Sequence, residues 1–256
     1  MNLTDIAAVI GAAAWIPQII RYFSRAELKI IPELTIELGY SSLGSIINPT
    51  CAFSASKKDA LIEKMALEII RQDGEKHEFL WQALDEKGFE GRSSKGETVE
   101  MRRTQSATAL KIGIVGLVDR KILFLDTTIK EKRLALEKAL IAKEDILKSA
   151  DAPNFPDNVF RSDEFTNLGN HYRDCFYWKE GSYSLNIIAQ EATRKDPIIG
   201  KYTFSLSRTD KNDLEKNIVI AQEFSKLNVL YRAGKIAIFP FLPWNWIYPT
   251  LTKIQS

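Results

Sequence analysis

The amino-acid sequence predicts a mainly β (α+β) protein, an immunoglobulin-like β-sandwich with a two-helix insertion, a C-terminal helix and an N-terminal membrane helix. Three observations lead there. Short alternating apolar and polar segments, separated by turn signals, fill the first half of the chain. The apolar period changes to a helical one at about 127–176 and again after 209. Both ends carry long uncharged stretches. The chain accordingly divides into an anchor over 1–27, a sandwich over 28–209 that holds the insertion, an amphipathic helix over 210–234 and an aromatic, proline-rich tail over 235–256.

Between residues 6 and 20 no side chain is charged. As a helix, residues 6–23 would be roughly 27 Å long, slightly short of a hydrocarbon core of about 30 Å. Pro17 removes one backbone hydrogen bond and kinks the last turn of such a helix. Trp15 and Tyr22 are residue types that settle at headgroup level, and Arg21 and Arg25 stand beside them. A secretory signal peptide fits poorly, because Asp5 occupies the place of a basic leader. The string 11–20, centred on Trp15-Ile16-Pro17-Gln18-Ile19, resembles a fragment of the PQ-loop repeat of seven-helix transporters. Nothing else in the chain supplies the other helices, so the likeness reflects membrane-helix composition. The segment either spans a bilayer or lies in its interface, the alternative being a buried helix of the domain. No Lys or Arg precedes it, and Arg21, Arg25 and Lys29 follow. That bias puts the body on the cytoplasmic side of a single-pass or peripheral membrane protein.

A chain of 256 residues buries a substantial core. With 35 basic and 33 acidic residues interleaved, charge gives no argument for nucleic acid as a partner. Cys51 and Cys175 are far apart and make no disulfide framework, which agrees with a reducing compartment.

Along the body, residues 33–38 alternate as a half-buried strand, and Pro32 restricts its start to an edge or a strand entry. Residues 46–55 form a second strand, interrupted by Asn48-Pro49. The next candidate, 61–71, alternates only late, but Asp73-Gly74 follows as a hairpin signal and 76–81 answers as the partner strand. The polar run 85–97, with Gly88, Gly91 and Gly96, reads as a loop. Further strands are expected at 98–103, 108–114 and 121–125, with Gly113 and Gly116 marking a bulge or a close backbone approach. Thr128 and Glu131 have capping-box spacing before a helix that places Leu136, Leu140 and Leu147 on one face. Its lysines are interspersed with acids, as on a solvated mixed-charge face. Ser162 is the expected cap of a second helix carrying Phe165, Leu168 and Tyr172 inward. Strands resume at 182–188 and 201–207. A last helix starts near Thr209 or Asp210, and Gly234 is its natural stop.

The tail at 236–251 is uncharged and contains Pro240, Pro243 and Pro249, which exclude a continuous spanning helix. Trp244, Trp246 and Tyr248 suit a headgroup layer. Two outcomes fit: an interfacial anchor, or a tail packed across the domain's own apolar surface.

No catalytic, cofactor-binding or metal-binding constellation is present. His77 and His171 sit on separate elements without His-Glu-x-x-His or paired-cysteine spacing. His171 and Cys175 are i,i+4 on one helix, which gives proximity without a triad or an oxyanion hole. The Gly-containing segments match neither a P-loop nor a dinucleotide fingerprint. The residues singled out are therefore membrane-contacting: Trp15, Tyr22, Trp244, Trp246 and Tyr248. The implied protein is a membrane-anchored binding module, by fold-level analogy a bacterial accessory or sensor protein. Its partners would be membrane lipid and a protein engaged by a sandwich edge or by the insertion helices. The alternative is a pore-forming or remodelling effector whose hydrophobic ends insert on oligomerisation. An enzyme with a site the sequence does not reveal is the third reading.

Overall fold

β1 (Glu27–Ser41) and β2 (Gly44–Ser56) form an antiparallel pair that turns at Gly44, where φ is +104°. In the computed structural model, Trp15 and residues 25–92, 98–150 and 154–254 are described, with side chains described outside 86–103. β3 (Ala60–Arg71) and β4 (Lys76–Arg92) make the expected hairpin across Asp73-Gly74, with Gly74 at φ +86°. The late alternation of the 61–71 segment has a physical cause. A register shift between Ile62 and Lys64 puts both Ile62 and Met65 inside and leaves Leu61 outside. The predicted loop at 85–97 is corrected, because β4 continues to Arg92 and pairs with β5 (Thr98–Ser106). A register shift between Lys87 and Glu90 absorbs the glycine-containing stretch.

β6 (Leu110–Ile112) covers the start of β3, and β7 (Val118–Asp126) lies between β2 and β4. Three helices follow: α1 (Lys130–Ser149), α2 (Phe155–Phe160) and α3 (Asp163–Asp174). β8 (Gly181–Glu191), β9 (Ile198–Leu206), α4 (Arg208–Arg232) and β10 (Thr252–Lys253) complete the described chain.

The strands run in the order β1-β2-β7-β4-β3-β8-β9-β10, each antiparallel to its neighbour. The last segment then returns to the first strand. Ile36 and Leu38 donate backbone N–H to the carbonyls of Pro249 and Ile247 at 3.1 and 2.9 Å, and Leu251 donates to the Leu34 carbonyl at 2.7 Å. On its other side the tail pairs Thr252 with Thr203, and Ile254 donates to the Lys201 carbonyl at 3.0 Å. The result is a nearly closed eight-strand barrel. The immunoglobulin-like sandwich is thereby corrected: bulges in β1, β3 and β4 curl one sheet until its ends meet, where a sandwich keeps two.

Inside lie Ile36, Leu38, Phe53, Leu67, Phe79, Phe124, Trp178, Tyr183 and Leu185, all 1% exposed or less. A second cluster, with Leu140, Val159, Leu168, Tyr172, Ala221 and Val229, joins the helices to one another. Tyr40 of β1 belongs to this second cluster, its hydroxyl donating to the Tyr172 carbonyl at 2.6 Å, and Phe176 packs against both clusters.

Capping shows how local chemistry set the helix starts. Ser162 caps α3 as predicted, its Oγ accepting from the Phe165 N–H at 3.3 Å. The capping box expected at Thr128 does not form. Asp126 Oδ1 accepts both the Thr128 N–H at 2.9 Å and the Thr128 hydroxyl at 2.6 Å, which turns that side chain back toward β7, and Ile129 takes the N-cap position. α4 starts slightly earlier than expected, with a reciprocal box: Ser207 Oγ accepts from Asp210 N–H at 3.2 Å and Asp210 Oδ2 accepts from Ser207 N–H at 2.8 Å. Ser207→Ala is expected to cost about 1 kcal/mol in a urea titration. A loss near zero would show the cap to be replaced by water.

Among the described residues no helix is long and apolar enough to cross a membrane. The expected anchor at 6–23 lies outside the described residues except for Trp15, which is exposed. The membrane-anchored module, its lipid partner, the single-pass cytoplasmic placement and the inserting effector are corrected on that ground. The tail, the other half of the expected anchorage, is part of the barrel wall. The protein partner at a sandwich edge loses its basis in the same way, because the sheet has been rolled up.

Candidate functional site

Of the residues expected at a membrane, Tyr22 lies outside the described residues. Trp244 packs half-buried against the helical cluster. Trp246 lies across Gly39, where an added Cβ would come within 2.2 Å of its ring. Tyr248 is exposed. These three occupy successive parts of the closing segment. Asn217 on α4, fully buried, fixes this segment: its Nδ2 donates to the Asn245 carbonyl at 2.8 Å and its Oδ1 accepts from Asn245 N–H at 2.8 Å.

Two clusters merit comparison as sites. The first lies at the β3–β4 turn. Arg71, nearly fully buried, donates from Nε to Asp73 Oδ1 at 2.9 Å, pairs with Glu75, and lies 5.6 Å from the centre of the Tyr177 ring. His77 bridges Asp126 from Nδ1 and Glu75 from Nε2, each at 3.0 Å, and stacks on Tyr177 with ring centres 4.1 Å apart. The Tyr177 hydroxyl is buried and has no hydrogen-bond partner among the described residues. This network ties β3, β4 and β7 to the segment before β8. No hydroxyl or thiol nucleophile faces His77 in these contacts, so the cluster reads as a structural ion network.

It still has a measurable signature. The hydrogen bond to Asp126, followed by the charges of Asp126 and Glu75, outweighs burial and raises the His77 pKa. Burial pushes the Asp126 carboxyl up, but hydrogen bonds from His77 and Thr128 overcome it and hold the group below its ordinary value. A raised folded-state pKa means that the stability supplied by His77 is fully present below its unfolded value of about 6.5 and is lost as pH rises through the folded value. The Asp126 contribution is present above its unfolded value of about 3.9 and is lost as pH falls through the lowered one. Wild type is therefore expected to lose stability relative to His77→Gln as pH rises above about 6.5. Parallel pH profiles for the two proteins would show that folding leaves the His77 pKa unshifted.

The cysteines carry no such function. Burial pushes the Cys51 thiol up to about 12. Cys175 Sγ lies 3.3 Å from His171 Nδ1, but burial raises the thiol and burial with Lys132 lowers the imidazole. Those shifts favour thiol and neutral ring over a thiolate–imidazolium pair. Among the described residues no group of three or more His, Cys, Asp or Glu is arranged to hold a metal ion.

The second site is the seam where the barrel stays open. The tail joins β1 to β9 only from Leu34 onward and up to Lys201. Beyond that, residues 28–31 of β1 and 198–200 of β9 diverge, and no described strand lies between them. The gap is a cavity of 680 Å³ lined by Leu28, Ile30, Ile198, Gly200 and Tyr202, with Ile31, Ile199 and Ile254 more exposed. Lys29, Lys201 and Lys253 line it as well. A smaller space of 190 Å³ continues it along β1 past Pro32 to Leu34 and Leu251. Alternation explains the lining: Leu28 and Ile30 share one face of β1, and Ile198, Gly200 and Tyr202 share one face of β9. At Gly200 a Cβ would lie 3.0 Å from the Tyr202 ring, so the glycine lets that ring fold over the strand.

Sequence reasoning missed the seam, although one signal bordered it. Pro32 marked an edge or a strand entry, and β1 does break register between Pro32 and Ile36. Gly200 lies outside the expected strand at 201–207, which in the structure starts at Ile198. The chain matches no family model, no curated protein and no solved structure.

Proposed function

We propose that the protein is a non-catalytic binding protein that holds an elongated apolar small molecule in the seam between β1 and β9. The observation that carries this is the 680 Å³ opening in the barrel wall, walled by Leu28, Ile30, Ile198 and Tyr202. Small-molecule sites are typically about 300–1,000 Å³ and mostly apolar, and they favour barrel mouths. The free strand edges are short. Residues 28–31 span about 13 Å at roughly 3.3 Å per residue, which allows an added peptide strand only a few backbone hydrogen bonds. A flexible apolar chain uses the same length through its whole surface, at roughly 25 cal/mol per Å² removed from water.

Calorimetric titration with dodecanol and dodecanoic acid tests this. Wild type is expected to bind with one-to-one stoichiometry. Ile198→Trp, which fills the cavity, should weaken binding by about tenfold or more, equivalent to about 1.4 kcal/mol. Val219→Trp on the exposed face of α4 should leave it unchanged. Failure of wild type to bind either ligand, or equal binding by Ile198→Trp, would remove the reading.

A further inference from the structure

We propose that the seam's ligand ends in an anionic group, held by Lys29, Lys201 and Lys253. The inference rests on the seam being a small-molecule site and specifies what enters it: a linear apolar chain carrying a carboxylate or a comparable anion.

The lysines come from three different strands and border one cavity, Lys29 and Lys201 from the exposed positions between its apolar lining residues. Lys29 belongs to β1, Lys201 to β9, and Lys253 to the two-residue β10 that sits opposite Tyr202. Several other basic side chains of the barrel are matched with acids: Lys57 with Glu27, Lys76 with Glu68, Lys121 with Glu37, and Arg71 with Asp73 and Glu75. The three seam lysines are in no ion pair with any described residue. Lys29 acts on Glu27 through space, yet Glu27 is already paired with Lys57. Glu33 lines the smaller continuation toward Leu34 together with Lys253, whereas Lys29 and Lys201 flank only the larger part of the seam. One end of the groove thus concentrates positive charge beside an apolar wall.

An amphiphilic anion matches both features. Its chain replaces water along Leu28, Ile30 and Ile198, while its head stays at the solvent-facing rim where ammonium groups remain hydrated. Charge at such a rim is screened by salt over about 8–10 Å. The anion preference should therefore shrink as ionic strength rises, whereas chain binding should not.

The test compares dodecanoic acid, dodecanol and acetate on wild type and on the triple variant Lys29→Met, Lys201→Met, Lys253→Met, at low and high salt. Wild type is expected to prefer the acid over the alcohol by about fivefold or more at low salt, and to ignore acetate. In the triple variant the acid should fall to the level of the alcohol, with alcohol binding unchanged. Equal affinity of wild type for acid and alcohol would overturn the anionic assignment and leave the apolar seam standing. Binding of neither would overturn both. A triple variant that still prefers the acid would place the anion site elsewhere.

Discussion

Trp178→Ala is expected to destabilise the protein by about 3–5 kcal/mol, the range for deleting a large buried aromatic. The indole is wholly buried where the segment after α3 enters the barrel. It stacks near-parallel to Phe79 with centres 6.0 Å apart and meets Tyr177 and Tyr183 edge-on at 5.4 and 6.1 Å. Its Nε1 donates to the Gly39 carbonyl at 2.9 Å, which binds the centre of the core to β1. Two losses therefore combine: a cavity that surrounding rings fill only partly, and the hydrogen bond to the Gly39 carbonyl. Trp178→Phe separates them, keeping most of the packing and costing about 1 kcal/mol for the lost hydrogen bond. Both values come from urea unfolding followed by far-UV circular dichroism. Domains of this kind have about 5–15 kcal/mol in total, so the alanine variant is expected to sit close to unfolding at 37 °C. A cost below about 1 kcal/mol would mean that the indole is not the centre of the core.

Gly39→Ala is the second large effect, and its cause lies on the other side of the same residue. A Cβ there would lie 2.2, 2.6 and 2.9 Å from three atoms of the Trp246 ring, distances that force the ring away. Trp246 belongs to the closing segment, between Asn245, which Asn217 clamps, and Ile247, which pairs with Leu38. Expelling the ring strains both attachments. Overpacking of this type costs about 1–3 kcal/mol. Without Trp246 the same change should be nearly neutral or slightly stabilising, because alanine reduces the entropy of the unfolded chain. The double-mutant cycle with Trp246→Ala therefore decides the cause. A coupling of about 1 kcal/mol or more places the tail on Gly39, and additive effects would place it elsewhere.

What the sequence disclosed and what it withheld divide along contact range. The Asp73-Gly74 turn, the Ser162 cap and the alternation of β8 and β9 depend on neighbours a few residues away, and each was legible. Barrel or sandwich depends on whether strands distant in sequence meet, and alternation is identical in both. The tail misled for a related reason. An uncharged stretch with three prolines must be covered, and sequence does not say whether lipid or β1 covers it. In the structure Pro249 contributes its carbonyl to Ile36, a role that needs no N–H, so proline is compatible with this wall position. The glycines of 85–97 read as a loop because a bulged strand extension uses the same residues as a turn. The seam was hidden because it is defined by missing pairing: its residues look like ordinary strand, and only the topology shows that they face an opening. Its lysines were equally inconspicuous among 35 basic residues.

The central claim is that the proline-rich tail is the closing strand of the barrel and that closure stops short of 28–31 and 198–200. Amide hydrogen exchange, resolved by residue, tests it most directly. The account predicts that the N–H groups of Leu38, Ile247, Leu251 and Ile254 exchange as slowly as neighbouring wall strands, while the seam-side amides of 28–31 and 198–200 exchange faster than the rest of their own strands. Ile247, Leu251 and Ile254 exchanging at the rate of an unstructured chain would contradict it, leaving β1 and β9 as open edges with no seam between them.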